Sequence, residues 1–123
     1  GQGTFEEVNR GAAGANFGWP ATEGDFDPAA FPDFTRPLYA YPHTGPALFS
    51  GIAITGGALV DLQGAGSAYT FTDFVAGWIN RIDPAGGAVT NFASDLTGRQ
   101  VVDLADGDNG LFYLARGGAN GGA

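Results

Sequence analysis

Apolar and polar residues alternate along this chain in short runs separated by glycine or proline, a rhythm that predicts strands. Phe5 to Arg10 alternates, with Phe5, Glu7 and Asn9 on one face and Glu6, Val8 and Arg10 on the other. Residues 21–37 are polar and rich in Pro and Asp, too long for a hairpin, and read as a surface loop. Arg36 to Tyr41 reads as a second strand. From Gly51 onward the pattern becomes regular. Ile52-Ala53-Ile54-Thr55 leads through Gly56-Gly57 into Ala58-Leu59-Val60, and Ala68 to Phe74 alternates strongly. Gly77 to Asp83 follows, ends at the turn Pro84-Ala85-Gly86-Gly87, and gives way to Ala88 to Phe92. Val101 to Ala105 and Leu111 to Ala115 flank a turn at Asp106-Gly107-Asp108-Asn109-Gly110.

Helical periodicity is nearly missing, because glycine or proline interrupts every longer apolar repeat. Short strands at this spacing predict an all-β sandwich, barrel or propeller. Four strands in up-and-down order fill about 45 residues before another Val-Asp-Leu unit begins, a period that suits a propeller blade. The fold expected is therefore an all-β β-propeller segment of about two four-stranded blades. Residues 1–50 would supply outer strands of one blade with a long acidic loop, and 51–97 one complete blade. Residues 98–116 would be inner strands of the next, and 117–123 a flexible Gly-rich tail.

Composition narrows the chemistry. The 123 residues fit one ordinary domain, and 22 glycines with 10 phenylalanines favour turns and aromatic cores over helices. Cysteine is absent, which excludes disulfides and thiol chemistry. Lysine and methionine are absent too, and without an initiator methionine the sequence reads as a processed or excised segment. No apolar run is long enough to span a bilayer as a helix, and no secretory apolar stretch stands out. A net charge of −8 argues against a nucleic-acid partner, which needs clustered cations. That charge is compatible with calcium and with a periplasmic or extracellular setting. Glu6 and Glu7 stand just before the turn around Gly11 and Gly14, and carboxylates beside a sharply turning backbone suit a hard cation.

An ordered set of short motifs carries a resemblance. Glu6-Glu7-Val8-Asn9, Gly14-Ala15-Asn16-Phe17-Gly18-Trp19-Pro20 and Glu23-Gly24 come first. Arg36-Pro37-Leu38-Tyr39-Ala40-Tyr41-Pro42-His43, Ile54-Thr55-Gly56-Gly57, Phe71-Thr72-Asp73-Phe74, Gly77-Trp78-Ile79 and Val102-Asp103-Leu104-Ala105 follow. Over nearly its whole length the chain resembles the C-terminal part of the soluble quinoprotein glucose/sorbosone dehydrogenase family. Those proteins are six-bladed β-propellers that oxidise aldoses with pyrroloquinoline quinone (PQQ) and calcium. The resemblance implies a parent reaction in which an aldose C1 hydroxyl is oxidised to a lactone.

It also implies site residues. Glu7 matches a glutamate giving a side-chain oxygen to calcium, and Phe17 an aromatic position whose backbone carbonyl points at the same ion. Glu23, Asp25 and Asp27 fall where some members bind a second calcium. Their alternate spacing resembles the oxygen supply of calcium loops. The catalytic histidine of the family belongs to an earlier blade, and His43 does not match it. The resemblance thus assigns this chain no catalytic residue. For the PQQ carboxylates only Arg99 remains near the family's arginine cluster, while Val75 stands near an expected lysine. Trp19 and Trp78 read as core aromatics, with stacking on a ring or sugar face as the alternative.

An arc of two blades would expose unpaired strand edges. Three copies could close a six-bladed ring, or the edges could meet the rest of a longer chain. A second functional reading is a non-catalytic propeller module for carbohydrate binding or self-assembly.

Overall fold

The computed structural model describes residues 1–61, 66–108 and 110–117. Eight strands and no helix form among them, and all pairing is antiparallel, so the protein is all-β. The chain separates into two compact units, Gly1–Ile52 and Ala53–Ala123. Asn109 of the expected turn and residues 118–123 of the expected tail lie outside the described residues.

In the first unit, β1 (Phe5–Val8) pairs with β2 (Tyr39–Pro42), with Glu6 opposite Tyr41 and Val8 opposite Tyr39. The second strand starts three residues later than the pattern suggests. Pro37 has no N–H to give a ladder, and Arg36 turns away to pair with Asp25. Glu6, Val8 and Tyr41 are buried in this small sheet. Between the strands lies the loop over residues 21–37, polar and rich in Pro and Asp by its sequence. Its three phenylalanines pack on one another. Phe31 stacks on Phe34 at 5.4 Å, and Phe26 meets their edges at 5.8 and 6.1 Å. Such aromatic pairs contribute about 0.5–1.5 kcal/mol each beyond their area, enough to give an irregular loop a core of its own.

In the second unit, β3 (Ile54–Asp61), β4 (Ser67–Asp73), β5 (Ile79–Ile82) and β6 (Thr90–Ala93) form one sheet in sequence order. Gly56 and Gly57 do not end a strand. They bulge β3 between Thr55 and Ala58, with Gly56 at φ 58°. A Cβ at Gly56 would come within 3.0 Å of the Asp103 backbone, so the bulge lets β7 (Val101–Gly107) approach β3 closely. Strand β7 pairs with β8 (Gly110–Ala115) as a hairpin. Ile79, Val101 and Leu104 form a core cluster with Ala58, Ala93, Leu96 and Leu111 against it. Trp78 is 1% exposed and meets the Phe71 ring edge-on at 5.9 Å.

Buried polar groups in this unit are spent on the backbone. Asp73 takes N–H groups from Ala53, Val75 and Ala76 at 2.8–2.9 Å, which pins the β4–β5 turn to the start of β3. Thr55, Thr70 and Thr72 hydroxyls donate to the carbonyls of Val101, Ala58 and Trp78. Each satisfied bond contributes roughly 1 kcal/mol, whereas a buried orphan costs about 1–3 kcal/mol.

Candidate functional site

The first unit carries a cleft of about 410 Å³ lined by Gly1, Gln2, Glu7, Asn9, Phe17, Trp19 and Glu23. Strand alternation explains its floor. Glu6 and Val8 turn inward, so Glu7 and then Asn9 face the cleft side. The Asn16–Pro20 turn supplies the opposite wall. Asn16 Oδ1 accepts the Gly18 N–H at 3.0 Å, and Gly18 adopts φ 87° where a Cβ would strike Thr22 and Phe34. This leaves Trp19 58% exposed at the cleft rim, so the expectation of a core aromatic fails for Trp19 and holds for Trp78.

The expected ligands separate into two groups. Glu7, Phe17 and Glu23 come together around the cleft, with Asn9 added. Asp25 and Asp27 do not line it. Asp25 forms a two-point ion pair with Arg36, with Nε donating to Oδ1 at 2.7 Å and Nη2 to Oδ2. Hydrogen bonding to Arg36 lowers the Asp25 pKa and raises that of Arg36. Asp27 Oδ1 accepts the Ala29 N–H at 2.9 Å and starts the turn toward Phe31. Their alternate spacing therefore serves loop geometry. Among the described residues no group of three or more His, Cys, Asp or Glu side chains converges as a metal site.

Glu7 Oε1 accepts the Gly24 N–H at 2.6 Å and Oε2 accepts Asn9 Nδ2 at 3.2 Å. Each carboxylate oxygen keeps a lone-pair direction beyond these bonds. Asn16 and Gly18 carbonyls accept backbone N–H groups, whereas the Phe17 carbonyl between them accepts none among the described residues. The lining residues Glu7, Asn9 and Phe17 carry hard oxygen atoms, the donor type that calcium takes.

Glu23 is held by a cluster of hydrogen-bond donors. Its pKa falls from 4.5 to about 2, first because the Gly3 N–H donates to it and then through the Thr4 hydroxyl and neighbouring backbone amides; partial desolvation opposes them. The bonds run from Gly3 N at 2.7 Å, Thr4 N at 3.0 Å and Thr4 Oγ1 at 2.9 Å. Sequence reasoning missed this role, and it passed over Asn9 as a possible ligand although Asn9 shares a face with Glu7 in the alternating run.

Elsewhere in the same unit His43 Nε2 lies 2.9 Å from Glu6 Oε1, a partly buried pair away from the cleft lining. In the second unit Arg99 sits in the loop between β6 and β7, its N–H donating to Leu96 and its carbonyl accepting from Gly117. Val75 is an exposed apolar residue of the β4–β5 turn. An anionic quinone needs several cations at one place, and Arg99 with an apolar Val75 does not make that set. Among the described residues no helix is long and apolar enough to cross a membrane. No protein-family model, curated protein or solved structure matches the chain.

Proposed function

We propose that this protein is a calcium-binding segment of a β-propeller similar to the PQQ-dependent sugar dehydrogenases. One observation carries the calcium part. Glu7 and Phe17, ten residues apart in sequence, line one cleft with Asn9 and Glu23. In this reading the Glu7 carboxylate and the Phe17 carbonyl hold the ion, and Asn9 adds an amide oxygen. The four-stranded sheet β3–β6 in sequence order supports the propeller part, since a blade is such a sheet.

In such a parent the reaction would oxidise an aldose C1 hydroxyl to a lactone, and PQQ would supply the two-electron oxidant. The residues described here contribute cation ligands and wall, and none of that chemistry is assigned to them. Periplasmic or extracellular calcium would keep such a site filled. Titration with calcium chloride is expected to raise the melting temperature, by an amount equivalent to about 2.7 kcal/mol at a hundredfold excess over Kd. EDTA reverses it and Glu7→Ala abolishes it. An unchanged melting temperature in all three conditions rejects the reading.

The exposed Trp19 at the cleft rim favours a second reading, a non-catalytic module that binds carbohydrate by stacking a sugar face on the indole. Quinone-dependent aldose oxidation by the full-length parent rejects this second reading. Quenching of Trp19 fluorescence by aldose without any turnover supports it.

A further inference from the structure

Glu23 reaches back 19 and 20 residues to hold Thr4 and Gly3, and the next residue, Gly24, gives its N–H to Glu7. Gly24 is buried at φ 76°, and a Cβ there would enter the Phe5 ring at 2.7 Å. The Glu23-Gly24 pair is therefore fitted onto β1 and the residues leading into it. Gly1 and Gln2, continuous with the held residues, line the cleft.

We infer that Glu23 is a positioning residue rather than a cation ligand: its carboxylate ties residues 3 and 4 down and so builds one wall of the Glu7–Phe17 cleft. Three donors already occupy its two oxygens, Oε1 taking one and Oε2 two. A cation drawing directly on Oε2 would have to displace the Thr4 bonds. The ion instead meets Glu7, whose oxygens carry one donor each. This inference rests on the calcium reading for its affinity readout, but its structural core does not.

The test joins amide hydrogen exchange at Gly3 and Thr4 with calorimetric titration of calcium chloride. Wild type, Glu23→Gln and Thr4→Val are compared, and far-UV circular dichroism checks each fold. Glu23→Gln should accelerate exchange at both amides about tenfold and weaken calcium binding by a similar factor, because charge-assisted bonds are lost. Thr4→Val removes one bond while leaving the charge, so it should move both readouts the same way by about threefold. Unchanged exchange in Glu23→Gln overturns the inference. So does tighter calcium binding in Thr4→Val alongside lost binding in Glu23→Gln, which would make Glu23 a ligand. If wild type gives no calcium response yet Glu23→Gln frees both amides, the wall stands and the calcium reading falls.

Discussion

The two units of this chain hold themselves together by different means. Residues 53–117 bury Phe71, Trp78, Ile79, Ile82, Val101 and Leu104, and their buried hydroxyls and Asp73 reinforce the backbone from within. Residues 1–52 have a two-stranded sheet, and a two-stranded sheet alone is marginal in water. Their long loop is kept in place by a phenylalanine cluster and by carboxylates: Glu7 on Gly24, Glu23 on Gly3 and Thr4, Asp25 on Arg36. The lesson is about where chemistry can reside. Oxygen atoms that hold a loop from the surface remain near solvent, where an ion can meet them. Those that hold a core do not.

The sharpest way to break this contrast is to empty the core of the second unit. Trp78→Ala should cost about 3–5 kcal/mol, since it removes a fully buried ring and leaves a cavity beside Phe71. Urea unfolding followed by far-UV circular dichroism reads this. A loss below 1 kcal/mol would mean that the sheet does not depend on that ring.

A smaller effect comes from acid and should fall on the first unit. The folded pKa of Glu23, about 2, lies below its ordinary value of 4.5. Its contribution is thus fully present above pH about 4.5 and is lost as pH falls toward 2. Asp25, lowered by Arg36, acts in the same direction. Melting temperature should decline over this window in wild type, and Glu23→Gln should flatten part of the decline. Equal slopes in the two proteins would show that Glu23 does not stabilise the folded unit.

The smallest effect concerns the second unit's outer hairpin strand. Phe112 and Leu114 are 66% and 62% exposed, so Phe112→Ser and Leu114→Ser should each change stability by no more than about 0.5 kcal/mol. A larger loss in either variant would reveal packing on β8 that the isolated chain does not display.

Much of the fold was legible in the sequence where neighbours along the chain decide the outcome. Ala68 to Phe74 alternates, and β4 runs Ser67–Asp73. Leu111 to Ala115 reads as a strand, and β8 is Gly110–Ala115. The glycines at 56 and 57 were visible as an interruption, but only pairing with β4 and the approach of β7 made them a bulge. The phenylalanine cluster was invisible because Phe26, Phe31 and Phe34 follow neither a helical nor a strand period. Of the candidate site, Glu7 and Phe17 were readable through the resemblance. The carboxylates at 25 and 27 read as ligands of a second calcium, because nothing local to them signals that Arg36 takes one and the Ala29 N–H the other.

By itself the sequence determined an all-β protein, because period-two alternation and frequent glycine leave few backbone alternatives. Tertiary structure decided which polar groups are spent and which are left to act. Glu6 turned inward to His43, Trp19 stayed out while Trp78 went in, and Glu23 closed on residues 3 and 4. The physical reason is range. Alternation is set by adjacent residues, whereas a carboxylate's partner is whichever N–H the fold delivers to it, here about twenty positions away.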